Sequence, residues 1–86
     1  MTDRFNTAIE AREIMYDLQT QMVRLPYNPD LRRVHNNIVT MINQLSSLEV
    51  EARRTKKTKN LENMKDKIAN SIKHLEHYVM IARIML

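Results

Sequence analysis

Apolar side chains recur along this chain at alternating spacings of three and four. From Leu31 the series runs through Val34, Ile38, Met41, Leu45, Leu48 and Ala52. From Leu61 it runs through Met64, Ile68, Ser71, Leu75, Tyr78, Ala82 and Met85, with Ser71 the one polar member. The first third gives Ala8, Ala11, Met15, Leu18, Met22 and Leu25. A 3.5-residue repeat lays such side chains on one stripe of a helix. Held over several heptads, it favours left-handed knobs-into-holes packing. The pattern predicts an all-α chain, an antiparallel three-helix bundle (up-down-up) with coiled-coil-like heptad packing. Its helices are expected near 3–25, 29–54 and 59–85, in a single domain over 1–86.

The first boundary is written in Leu25-Pro26-Tyr27-Asn28-Pro29-Asp30. A residue before proline is pushed out of the α region, so helix one should stop near Arg24 or Leu25. Asn28 suits an N-cap, Pro29 the first helical position and Asp30 the positive end of the helix dipole. Thr7 and Glu10 match a capping box, while Phe5 extends the apolar pattern toward a start at Thr2 or Asp3.

The second boundary lacks a helix breaker, since no glycine or proline follows Pro29. Two features still predict a hairpin rather than one long rod. Residues 53–60 carry no apolar side chain, and the repeat resumes nine residues after Ala52, two out of phase. Thr58 or Asn60 can cap the new helix. Segments two and three also resemble one another at an offset of thirty, which shared periodicity accounts for.

Composition narrows the chemistry. With 86 residues, no glycine and no cysteine, glycine-rich phosphate loops, disulfides, thiolate metal sites and cysteine nucleophiles are excluded. A chain this short buries only part of its surface, and its stability is expected on the order of 4–13 kcal/mol. No stretch reaches the ~20 apolar residues of a membrane span, and the N-terminus lacks the order of a signal peptide. A soluble cytoplasmic protein is expected.

The formal charge of +4 is unevenly spread: net −2 over 1–30, +5 over 31–60 and +1 over 61–86. Arg53, Arg54, Lys56, Lys57 and Lys59 put five cations in seven residues, and Lys65 and Lys67 follow one turn into helix three. Such a cluster attracts phosphates by charge and counterion release, or steers the protein to an acidic surface. No aromatic residue interleaves it, which disfavours base stacking. Arg24, Arg32 and Arg33 belong to the opposite end of the bundle.

Catalytic and metal chemistry find little support. His74 and His77 could reach one metal with His35 as a third ligand, but no acidic motif completes the set. Glu10, Glu13, Asp17, Glu49, Glu51, Glu62 and Asp66 lie off the stripes, as solvated faces do, with Asp17 placed to pair with a neighbouring helix. Nothing resembles a triad or a paired-carboxylate site, so no enzyme, no cofactor, no metal and no small-molecule substrate are expected.

The chain's tail is the departure from a simple bundle. Residues 78–86 are apolar nearly all round, although an outer helix should show a polar face. Val79 and Ile72 can widen the core stripe. Tyr78, Met80, Ile81, Ile84, Met85 and Leu86, with Ile9 and Tyr16 of helix one, form the expected protein interface. Off-stripe Ile14, Val23, Val39 and Val50 add to the surplus. The expected function is that of a small non-enzymatic adaptor or regulator that binds another protein or itself, as a homo-oligomer. Its size and lack of catalytic groups suit a viral inhibitor of a host protein, acting in host cytoplasm. The alternatives are a nucleic-acid-associated protein using the basic turn, and a structural subunit of a larger assembly. No membrane partner is expected.

Overall fold

The computed structural model of the chain describes residues 4–85. It is a bundle of three helices: α1 (Ala8–Val23), α2 (Pro29–Thr55) and α3 (Lys59–Ile84). Short connections fold each helix back on the one before. The Ala8 amide reaches Glu49 of α2, Arg12 reaches Asn43, and Arg83 of α3 reaches Gln21 of α1. The first two pairs run antiparallel, and the third, with Arg4 before α1 bonded to Glu76 of α3, runs parallel, so α1 is antiparallel to α2 and parallel to α3.

The ends form for the reasons the sequence gives, with two corrections. Asn28 caps α2, its side-chain oxygen accepting from the amides of Asp30 and Leu31 at 2.9 and 3.4 Å, with Pro29 at the first helical position. Thr7 caps α1 by accepting from the Glu10 amide at 3.3 Å. The return arm of the box is hydroxyl to carboxylate, Thr7 Oγ1 to Glu10 at 3.3 Å. A start near residue 3 is therefore corrected: the described residues 4–7 are not helical, and Phe5 enters the core from outside the helix. The opposite end is corrected too, since α1 stops at Val23 and the Arg24 and Leu25 amides close it onto Gln21 and Met22.

The α2–α3 turn is the predicted hairpin. Lys56 takes φ 61° and ψ 16°, the left-handed conformation that commonly ends a helix and that glycine fills without strain. Thr58 precedes α3 in the N-cap position, yet its side chain makes no capping bond.

One cluster of buried residues forms the core, and it is polarised along the long axis. Its largest fully buried members are Phe5, Ile38, Ile42, Leu45, Ile68, Ile72, Leu75 and Val79. None of the buried residues lies between Leu45 and Ile68. The reason is length. At 1.5 Å per residue α1 covers only about 24 Å, whereas α2 and α3 each run about 40 Å. Beyond the Ala8–Glu49 contact the molecule is a two-helix arm, where Ala52, Leu61 and Met64 are only partly buried.

The inward stripe of α3 is shifted from the expected one. Ile72 and Val79 are fully buried, Ser71 is half-buried, and Tyr78 and Met85 are exposed. A helix packed against two neighbours needs a wider apolar face than a two-stranded seam, and Ile72 and Val79 supply it.

Candidate functional site

Three surfaces remain once the core is assigned. The first is the last two turns of α3. Leu75 and Val79 point inward, and between and beyond them Tyr78, Met80, Ile81, Ile84 and Met85 are exposed, the last two at 75 and 80 %. Tyr78, Ile81 and Met85 line a groove of about 520 Å³ against Leu31 and Val34 of α2. Asp30 and Arg33 form its polar rim and pair with each other at 3.2 Å. Leu86 lies outside the described residues. Ile9 and Tyr16 are exposed as well, but they do not join this surface: Tyr16 lines a different groove, between α1 and α2.

The second surface is the tip of the two-helix arm. Arg53, Arg54, Lys56, Lys57 and Lys59 are all exposed there, and Lys67 is exposed two turns further into α3, off the tip. Lys65 stands apart, with a side chain only 18 % exposed and its ammonium 3.7 Å from Glu62. Arg53 and Arg54 sit at the negative end of the α2 dipole, where cations are favourable. Lys57 and Lys59 sit at the positive end of α3, where they are not. The uncapped Thr58 adds no compensating acceptor.

The third surface is the groove between α1 and α2. One cavity of about 330 Å³ is bordered by Val23, Tyr27 and Arg32, and one of about 390 Å³ by Arg12, Tyr16 and Asn43. Both include Gln19, His35 and Asn36, so they form one trough. Its aromatic rim escapes a stripe analysis, because Tyr27 belongs to the turn. The spacing of seven in Ile9, Tyr16 and Val23, all exposed, was the available signal.

The titratable groups that the sequence singles out are dispersed. His35 is half-buried, and its Nε2–H donates to the Met15 carbonyl at 3.4 Å. His74 and His77 are exposed on α3. Among the described residues, no three His, Asp or Glu side chains gather where they could hold a metal. Carboxylates expected only on solvated faces also have structural work. Glu49 accepts the Ala8 amide at 2.9 Å and so caps α1 from another helix. Asp17, expected to pair with a neighbouring helix, instead accepts from Gln21 within its own helix at 3.5 Å. Arg4 and Glu76 form a bidentate pair, its second contact 2.6 Å, that ties the segment before α1 to α3. The Arg4 hydrogen bond holds the Glu76 carboxyl below its ordinary range, and the Arg4 guanidinium is raised in turn.

Among the described residues no helix is long and apolar enough to cross a membrane. No protein-family model matches the chain, and neither does any curated protein or solved structure.

Proposed function

We propose that this protein is a small non-enzymatic adaptor or regulator that docks on another protein through the end of α3. The observation that carries this is the exposure of Tyr78, Met80, Ile81, Ile84 and Met85 within two helical turns. A contiguous apolar patch of this kind marks an interaction site, and methionine lets it adapt to its partner. Of the charged side chains near it, Asp30 and Arg33 line the groove and pair with each other, Glu76 is held by Arg4, and Lys73 and Arg83 of α3 leave a small positive surplus. Two copies meeting here would bring like charges together, so the fitting partner is a different protein with an acidic rim. A cytoplasmic setting, that of the host if the chain is viral, goes with this function and with the cysteine-free composition.

The test is the double substitution Met80→Asp with Ile84→Asp. Both sites are exposed, so the variant should keep its helical circular dichroism and lose its partner. A folded variant that keeps the partner overturns the proposal. Sedimentation of the parent chain distinguishes the competing occupant, since a stable dimer that the substitutions dissociate makes the patch a contact between copies.

The tip of the arm supports a second activity, contact with phosphates of a nucleic acid. Lys57 and Lys59 stand against the α3 dipole at some cost in stability, and the arm projects them clear of α1. Duplex binding should then weaken steeply with salt, and replacing Lys56, Lys57 and Lys59 with Glu should abolish it. Binding that survives those changes removes the tip as a phosphate site.

A further inference from the structure

We infer that the trough between α1 and α2 is a second docking site, and that its occupant is an acidic amphipathic helix of a partner protein. The inference is independent of the α3 patch and rests on the shape and charge of the trough alone.

The trough is continuous, because its two cavities share Gln19, His35 and Asn36. Between Arg12 and Val23 it follows α1 for about 17 Å, the length of roughly three helical turns. A furrow between two antiparallel helices is the place a fourth helix takes when a bundle is completed. The floor is apolar, built from Met15, Met22, Leu25, Leu31 and Val39. The rim is amphipathic: Tyr16 and Tyr27 are 65 and 77 % exposed, and each offers a ring face with a hydroxyl at its edge. Tyrosine, arginine and methionine are the residue types enriched at protein interfaces.

Charge selects the occupant. The ionic side chains lining the two cavities are Arg12 and Arg32, with His35 the other nitrogen base. Among the described residues that line them there is no carboxylate. Asn43 Oδ1 accepts from Arg12 Nη2 at 3.1 Å and orients the guanidinium, whose other N–H groups make no further bond among the described residues and can meet a carboxylate in bidentate fashion. A helix with leucines inward and glutamates at its flanks meets both features. A single nucleic-acid strand would use the arginines and tyrosines but would leave the apolar floor unmatched.

The experiment uses the full chain and two synthetic 18-residue helical peptides. They share leucines at spacings of three and four, and their flanks are glutamate in one and lysine in the other. Fluorescence anisotropy gives the affinities, and amide chemical shifts locate the site. The glutamate peptide should bind at least tenfold more tightly than the lysine peptide, shifting residues 12–27 and 32–43. Arg12→Ala with Arg32→Ala should weaken it at least tenfold in a chain that keeps its circular dichroism. Lys57→Ala with Lys59→Ala should change it less than twofold, which separates the trough from attraction to net charge. Retained binding in the Met80→Asp, Ile84→Asp chain separates it from the α3 patch. Absence of binding, equal affinity for the two peptides, or shifts confined to α3 or the arm overturns the inference. So does a twelve-residue oligothymidylate that displaces the peptide and shifts the same trough residues.

Discussion

Lys56 and Glu76 show how single side chains set the local balance. A non-glycine residue in the left-handed region is strained by roughly 1 kcal/mol, and Lys56 sits there at φ 61°. Lys56→Gly should therefore raise the stability to urea by about 0.5 kcal/mol, most of the relief of strain being offset by the greater freedom of the unfolded chain. Unchanged or lower stability would show that the lysine side chain makes a contact worth the strain. Glu76 gives the pH dependence. Its folded pKa lies below the unfolded one because Arg4 hydrogen-bonds the carboxylate. The stability this contributes is present above the unfolded value, near pH 4.3, and is lost as pH falls through the folded value. Both side chains are partly exposed, so solvent screening limits the pair to under about 1 kcal/mol. Wild type should exceed Glu76→Gln in stability at pH 7 and converge with it as pH falls through the folded value. A gap that persists at low pH would assign the loss to packing.

At the scale of the elements, the sequence was most informative where local chemistry and periodicity agree. Asn28-Pro29-Asp30 fixes the start of α2 because cap, proline and dipole act on the same residues. The stripe from Leu31 to Ala52 faces inward as its spacing requires. The stripe of α3 was legible only in part, since a heptad drawn for a two-helix seam does not say on which side a third helix will lie. Ile72 and Val79 widen the stripe as their positions allow, but the half-burial of Ser71 and the exposure of Tyr78 could not be read for that reason. The surplus apolar residues of α3 could be counted from sequence, but the α1–α2 trough could not, because it depends on where a turn residue, Tyr27, and a helix residue, Arg12, come to rest. Phe5 marks the largest difference. Its side chain is 1 % exposed although its backbone is not helical, so tertiary burial rather than helix propagation holds the segment before α1. Phe5→Ala should cost about 3 kcal/mol or more, as large-to-small core substitutions do. A loss under about 1 kcal/mol on urea denaturation would place the ring outside the core that stabilises the fold.

The whole molecule is a rod 48 Å long and 21 by 17 Å across, with its burial toward one end and the densest run of cations, Arg53 to Lys59, at the other. The three-helix part holds every fully buried side chain described, while the arm from about residue 50 to 64 has two helices with partly buried contacts. Local opening takes less free energy where fewer apolar contacts must break. Lys57 and Lys59 at the start of α3 lower it further by opposing the dipole. Native-state hydrogen exchange should therefore find the slowest amides in 38–45 and 68–79. Those of 50–64 should exchange at least tenfold faster, since a difference of about 1.4 kcal/mol in opening free energy already gives that factor. Exchange at a uniform rate along α2 would mean that the arm opens only with the whole bundle, and its weakness would then have no part in function. If the arm does open alone, a polyanion that neutralises its cations should slow exchange in 50–64 and leave 68–79 unchanged. A partner bound at the end of α3 should protect residues near 78–85 and leave the arm as it was. The two proposed contacts are thus separable in one measurement, because they sit on parts of the rod that differ in how they are held.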